Sequence, residues 1–381
     1  MNEPAIVMVT TSFPLANDGS EAAGSFVSDF AEELGTHVSV RVVAPGRANC
    51  RETWGRNVEV FRYMAPERPL STLKPWRLRD LLEIIRVLHA GQRGTRMAVE
   101  AGPTMHVLAL WALPSGAWAR RAARRHGMDY SVWILGSDVW SLGRIPVVRR
   151  VLARVIRGAS HAWADGYKLA GDARRLAGVP VDFLPSTRRV GPADPQPLRN
   201  RPPYRLLFLG RWHPNKGIDL LLDALAMLGD DDWSRIEGVE IQGGGPLDPL
   251  VRERAATLRA TGRPVELGGF LSKREAEAAI ARADWVLIPS RIESIPVIFS
   301  DAMKLGRPVV AMPVGDLPAL LAQDGCGELA AGGSAPALCA AMRSALAGSP
   351  HTFANGVAAQ AARFDLGVIV RDFLDRAASH G

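Results

Sequence analysis

The chain has 381 residues, of which 47% are hydrophobic and 22% charged, globular values that exclude wholesale disorder, collagen and coiled coil and suit two domains. Its net charge of +7 is uneven: residues 1–199 hold 27 Lys/Arg against 18 Asp/Glu, leaving 19 against 21 for residues 200–381. A basic N-terminal half calls for an anionic partner such as a phosphate or lipid headgroup, whereas no zinc pattern, RNA-binding aromatic signature or basic heptad supports nucleic acid.

In chain order, Ala5–Thr10 reads as a first strand rather than a signal peptide, because an acid precedes a very short apolar run. A helix over 25–34 and a strand over 38–44 follow. The pattern predicts a helix over 78–90 with its apolar face at Leu81, Ile84, Ile85 and Leu88, a strand over 130–135 and a basic helix over 147–156. The stretch 185–203, PSTRRVGPADPQPLRNRPP, is rich in Pro and polar residues and reads as the linker. Beyond it, 205–209, 238–241, 265–267, 285–288 and 308–311 read as buried strands separated by helices. A last helix spans 366–378, long enough to pack outside its own domain. Alternation of this kind predicts an α/β chain with two parallel sheets, each covered by helices on both faces. Cys50, Cys326 and Cys339 lie far apart, with neither metal-type spacing nor an even disulfide set, which predicts a reducing compartment. No stretch approaches the ~18 uninterrupted apolar residues of a spanning helix.

Ligands of open parallel sheets bind beyond the carboxyl ends of the strands, so the loops after strands carry the argument. After 205–209 comes Gly210-Arg211-Trp212-His213-Pro214-Asn215-Lys216-Gly217, where two cations five residues apart suit a diphosphate. After 238–241 comes Gln242-Gly243-Gly244-Gly245-Pro246, whose bare backbone an anion can approach. Gly268-Gly269-Phe270 offers backbone edges and one ring for a flat base. Pro289 to Pro296 leads into a helix with Ser294 as its expected N-cap, Pro296 in its first turn, Glu293 just before it and Asp301 about two turns inside. That helix end is an anion site. Each signal is weak by itself, and a solvated loop explains any one. Together they occupy consecutive strand ends. Asp230-Asp231-Asp232 holds a D-x-D pattern that suits a divalent metal, but it follows a helix and precedes a strand, at the opposite end of the sheet, and reads as a solvated turn.

These residues resemble the retaining, GT-B-fold glycosyltransferases of sequence family 4. The matching pieces are GRWHPNKG, QGGGP, GGF, ADW and PSRIESIPVIFSDAMKLGRPVVAMPVGD, the last carrying the family's E-x7-E signature as Glu293 and Asp301. TSFPLANDGSEAAGSFVSDFAEEL is similar to the family's first glycine loop and helix, and WILGSD to its H-G-x-D segment. The resemblance covers nearly the whole chain and is weaker before residue 200. It implies two Rossmann-like domains facing across a cleft: residues 1–190 with 365–381 for the acceptor, and 200–364 for the nucleotide sugar. It also implies that Arg211 and Lys216 hold the donor diphosphate, Glu293 the donor sugar and Asp301 the ribose. Backbone at Gly210, Gly244, Gly269, Phe270, Ser294 and Ile295 would line the donor site, and Gly24 would approach the phosphates. Three positions depart from the family: Leu135 stands for the usual His, Asp301 for the second Glu, and PSTRR for P-N-G-V-D at the junction.

The expected function is a metal-independent, retaining hexosyl transfer from a nucleotide diphosphate sugar to an acceptor in bacterial polysaccharide or glycolipid synthesis. No cofactor is expected, and Asp138 is assigned to the acceptor side. The alternatives are a non-catalytic GT-B subunit that binds a nucleotide sugar or partner enzyme, and a nucleotide-sugar epimerase. Two basic clusters, 74–79 and 120–125, adjoin Trp-bearing apolar stretches. They predict peripheral binding to anionic membranes on the cytoplasmic side.

Overall fold

The computed structural model describes residues 4–16, 24–66, 68, 70, 73–191 and 196–378. Part of the first glycine loop, residues 17–23, and part of the expected linker, residues 192–195, lie outside the described residues. The chain divides into two compact units, Met1–Ser186 with Leu366–Gly381, and Thr187–Asp365.

The first unit contains strands β1 (Ala5–Val9), β2 (Ser39–Gly46), β3 (Cys50–Thr53), β4 (Val58–Met64), β5 (Thr104–Leu110), β6 (Tyr130–Ile134), β7 (His161–Ala164) and β8 (Asp182–Phe183). They form one sheet in the order β3-β4-β2-β1-β5-β6-β7-β8. Neighbours run parallel except β3 against β4, a short antiparallel edge strand. The central strands β1, β5 and β6 are apolar on both faces, as a helix-covered parallel sheet requires. Helices Ser25–Leu34 and Leu366–Ala378 pack together on this unit, with Phe30 and Phe373 edge to face at 5.6 Å. The final helix therefore leaves the unit that precedes it in the chain.

Helix Leu78–Glu100 departs from the sequence reading twice. It runs ten residues past Ala90, because the two glycines that argue for a break are used for close packing. A Cβ on Gly91 would lie 2.3 Å from the Trp118 ring. Its core face is also not the expected one. Val87, Gly91, Gly94, Ala98 and Val99 are buried, while Leu81, Leu82, Ile85 and Leu88 stand 37–45% exposed. Small residues bring this helix onto the sheet, and the large apolar stripe points outward.

The second unit contains β9 (Tyr204–Leu209), β10 (Ile236–Gln242), β11 (Val265–Gly268), β12 (Trp285–Ile288), β13 (Val309–Ala311) and β14 (Gly327–Leu329). All are parallel, in the order β11-β10-β9-β12-β13-β14. Leu206, Phe208, Ile241, Leu287 and Val310 from these strands share one core with helices Ile218–Ala226, Asp248–Ala260 and Ala335–Ala347. The order places β9 and β12 side by side at the centre, so the loops after them are neighbours.

The start of the expected linker is not loose. Thr187 is buried and its hydroxyl donates to the Phe364 carbonyl at 3.1 Å. Arg188 ion-pairs with Asp301, and Lys304 donates to Thr187 and to the Arg188 carbonyl. Residues 187–188 thus belong to the second unit's packing.

Candidate active site

The strand-end loops of the second unit are laced together by backbone hydrogen bonds in sheet order. Gly243 N–H donates to the Gly269 carbonyl at 3.0 Å, Gly210 to Gln242 at 3.1 Å, Trp212 to Gly244 at 2.8 Å, Arg291 to Asn215 at 2.8 Å and Asp316 to Ser294 at 3.1 Å. One contact dictates a glycine. Gly217 has φ 68, and a Cβ there would sit 1.8 Å from the Pro289 carbonyl oxygen. Only a residue without a side chain lets the β9 and β12 loops approach this closely.

Charge binds the same two loops. Arg291 grips Asp219 with both terminal nitrogens, at 2.7 and 2.6 Å, and also donates to the Pro214 carbonyl at 2.7 Å. That guanidinium holds the Asp219 carboxyl below its usual range. Lys216 Nζ pairs with Glu293 Oε1, the lysine side chain 34% and the glutamate 18% exposed. Two residues expected at the diphosphate and the sugar therefore meet in one half-buried pair. The second cation, Arg211, is exposed. Nearby lie the bare Cα of Gly244, under the ring of Phe270, and Phe270 itself, 71% exposed. Nothing lies within 4 Å of where a Cβ on Gly269 would be. A Cβ on Gly210 would meet only the Phe208 ring, at 3.4 Å.

The helix after β12 begins later than expected. It spans Val297–Lys304 with Pro296 at its N-cap, so Ser294 is no cap. The Ser294 carbonyl instead accepts from Asp316, and its hydroxyl is buried without a partner. Ile295 is buried beside it. Asp301 lies in the second turn and is fully buried. Arg188 occupies its Oδ2, and Oδ1 has no partner. Arg188, Asp219 and Arg291 were not singled out from sequence. Arg291 stood inside the quoted motif, and only the fold shows that it reaches back to Asp219.

Two expected site residues of the first unit are engaged by the chain itself. Asp138 is 1% exposed, and its oxygens accept from the Ala112 and Val139 amides at 2.8 and 3.1 Å. Burial pushes its carboxyl up to about 6, against the pull of those amides. Its carboxylate is bound to backbone and positions the loop after β5. Gly24 has φ 78 and would place a Cβ 2.7 Å from Phe13 N; the close approach it serves is to the chain's own backbone. Trp118, beside the 120–125 cluster, is 4% exposed, whereas Trp76 is 76% exposed.

The Asp230–Asp232 run sits at the amino end of β10. Asp230 pairs with Arg263, and Asp232 with Arg343 while accepting from Gly229 N. No metal-type cluster occurs among the described residues.

A pair of parallel-sheet units with cations, bare backbone and an aromatic edge gathered at the strand ends of one of them is the architecture of GT-B glycosyltransferases. Residues 203–348 match the family described as Glycosyl transferases group 1. The GDP-mannose-dependent alpha-(1-6)-phosphatidylinositol monomannoside mannosyltransferase of Mycobacterium tuberculosis is 25% identical over 376 residues, covering 93% of this chain and 92% of that one. The D-inositol 3-phosphate glycosyltransferase of Corynebacterium efficiens is 36% identical over 133 residues, covering 33% of this chain and 30% of that protein. Among solved structures, sucrose-phosphate synthase from Thermosynechococcus elongatus superposes with a TM-score of 0.76 at 17% identity over 98% of both chains. Anabaena HepE in complex with UDP gives 0.68 at 17% over 100% of both. Residues 203–348 are thus similar to the group 1 glycosyltransferases, and the relative that spans nearly the whole chain is itself an enzyme of sugar transfer.

Proposed function

We propose that the protein moves a hexose from a nucleotide diphosphate sugar to a lipid- or glycan-linked hydroxyl, with retention at the anomeric carbon. The second unit binds the donor, and the first unit binds the acceptor. The bond from the anomeric carbon to the diphosphate breaks, the acceptor oxygen bonds to that carbon, and the acceptor's proton leaves with the diphosphate. Arg211 and Lys216 stabilise the charge that builds on the departing diphosphate. Glu293 accepts hydrogen bonds from the sugar's hydroxyls, Asp301 from the ribose, and the backbone from Gly268 to Phe270 meets the base.

The observation that carries this reading is the Lys216–Glu293 pair. It keeps a cation and a carboxylate satisfied until a ligand bearing both an anion and hydroxyls replaces each partner. The mycobacterial relative's printed name, with its GDP-mannose and phosphatidylinositol monomannoside, supports a nucleotide-mannose donor and a lipid acceptor. The exposed Trp76, with Lys74 6.0 Å from its ring centroid, supports docking of the first unit on an anionic membrane. No helix among the described residues is long and apolar enough to cross one. Incubation with GDP- and UDP-sugars and a phosphoinositide or glycan acceptor should release nucleoside diphosphate in proportion to glycosylated product. Release should persist in EDTA, because the D-x-D acids are held in ion pairs at the far end of the sheet. Failure of every donor to be consumed contradicts the reading.

A further inference from the structure

Between the β3–β4 hairpin and helix Leu78–Glu100, in the first unit, lies a cavity of about 440 Å³, within the range of small-molecule sites. Phe61, Tyr63 and Met97 give it apolar walls, and Arg51, Arg93 and His89 give it a cationic rim. Its lining contains no Asp or Glu. Arg62 also lines it but is committed, to Glu52 and to the Pro14 and Pro45 carbonyls. Arg51 and Arg93 form no ion pair with any described residue. Arg51 lies 4.5 Å over the Phe61 ring, an arrangement that steadies the guanidinium without neutralising it. Two unpaired guanidiniums around one recess repel each other and concentrate positive potential there, which an anion relieves.

The helix wall extends the recess. Leu82, Ile85, His89, Arg93 and Met97 follow helical spacing along one face, and Leu82, Ile85 and Met97 are 41–45% exposed. An apolar stripe thus runs into a cationic pocket.

We propose that this recess binds a phosphate group carried on an apolar body. The phosphate pairs with Arg51 and Arg93, and the apolar part lies against Phe61, Met97 and the stripe. Neither the donor residues nor the reading of the reaction enters this inference. A phospholipid headgroup with its acyl chains is a ligand of this chemistry.

Cys50 lines the same cavity and is exposed, whereas Cys326 and Cys339 are buried, so its alkylation rate in the full chain reports occupancy. The probes are dihexanoyl phosphatidic acid below its micelle concentration, glycerol 3-phosphate, and dihexanoyl phosphatidylcholine as the zwitterionic control. Phosphatidic acid should slow Cys50 alkylation, and an Arg51→Gln/Arg93→Gln variant should need about a hundredfold more of it, having lost two charge-assisted contacts. Both side chains are exposed, so the variant should melt like the parent. Stronger protection by phosphatidic acid than by glycerol 3-phosphate supports a phosphate on an apolar body, and equal protection overturns the apolar part of the proposal. The proposal is overturned if neither phosphate protects at millimolar concentration, if phosphatidylcholine protects as well as phosphatidic acid, or if the double variant is protected like the parent.

Discussion

Lys216, from the loop after β9, is ion-paired to Glu293, from the loop after β12. The two residues are 77 apart in sequence and meet because the sheet order makes β9 and β12 neighbours. A lysine is expensive to leave unpaired in a half-buried setting, and so is a glutamate. Each keeps the other charged and in place. A preorganised charge of this kind acts at the moment negative charge develops on a leaving group, without reorganisation.

The Arg188–Asp301 pair joins the junction segment to the helix after β12. The aspartate side chain is fully buried and the arginine 12% exposed. Arg188→Ala strands a buried carboxylate and should destabilise the second unit by about 3–5 kcal/mol. Arg188→Met with Asp301→Leu should recover most of that loss in thermal melts and yet weaken donor binding, since Asp301 is assigned to the ribose. Full donor affinity in the double variant would remove Asp301 from the site.

Gly217→Ala adds a methyl 1.8 Å from the Pro289 carbonyl oxygen at φ 68. The β9 and β12 loops must separate to admit it. We expect destabilisation of more than about 2 kcal/mol, in the range reserved for strained backbone positions, together with loss of turnover. A melting temperature equal to the parent's would show that the loops are less closely joined.

Asp138 makes stability pH-dependent with a definite sign. Burial raises its folded carboxyl from 3.8 to about 6, so between these values the folded state holds the proton more often than the unfolded one. Stability from this group is fully present below the unfolded value and is lost as pH rises through about 6. Parent minus Asp138→Asn unfolding free energy should fall by on the order of 2–3 kcal/mol between pH 4 and 7. A difference that stays flat, or rises with pH, contradicts the placement of this carboxylate.

The proposed membrane contact rests on one of the two basic clusters, the one at 74–79. Trp76 is 76% exposed beside Lys74, Arg77 and Arg79, whereas Trp118 is 4% exposed, in the core. Sedimentation with anionic vesicles should drop on Trp76→Ser, while neutral vesicles should leave the protein in the supernatant. Replacing Arg120, Arg121, Arg124 and Arg125 by Gln should lower binding only through charge, an effect that salt screens. Unchanged sedimentation of Trp76→Ser would move the contact elsewhere.

The parallel sheets were legible because a fully covered strand is a short run of apolar residues on both faces, as β1, β6 and β12 are. Strand-end loops followed directly from that pattern, which is why Lys216 and Glu293, paired in the structure, were both singled out. What failed was anything decided by packing partners. The helix's run past Ala90 rests on Gly91 packing against Trp118, and Leu81 and Ile85 read as core until smaller residues prove to face the sheet. Asp138 carried a motif position, yet its burial depends on the loop after β5, distant in sequence. Thr187 and Arg188 sit in a Pro-rich stretch with no apolar period, so only the contacts with Phe364 and Asp301 reveal their anchoring.

On the proposed function, a nucleoside diphosphate binds the β9 loop of the second unit. This is tested most directly by calorimetric titration of UDP, GDP and their monophosphates into the parent and into Arg211→Ala and Lys216→Ala. At least one diphosphate should bind the parent, and each variant should lose about tenfold or more in affinity for it, the worth of a charge-assisted contact. Affinity for the monophosphate should change far less. Diphosphate affinities in both variants equal to the parent's would place the donor elsewhere and contradict the account.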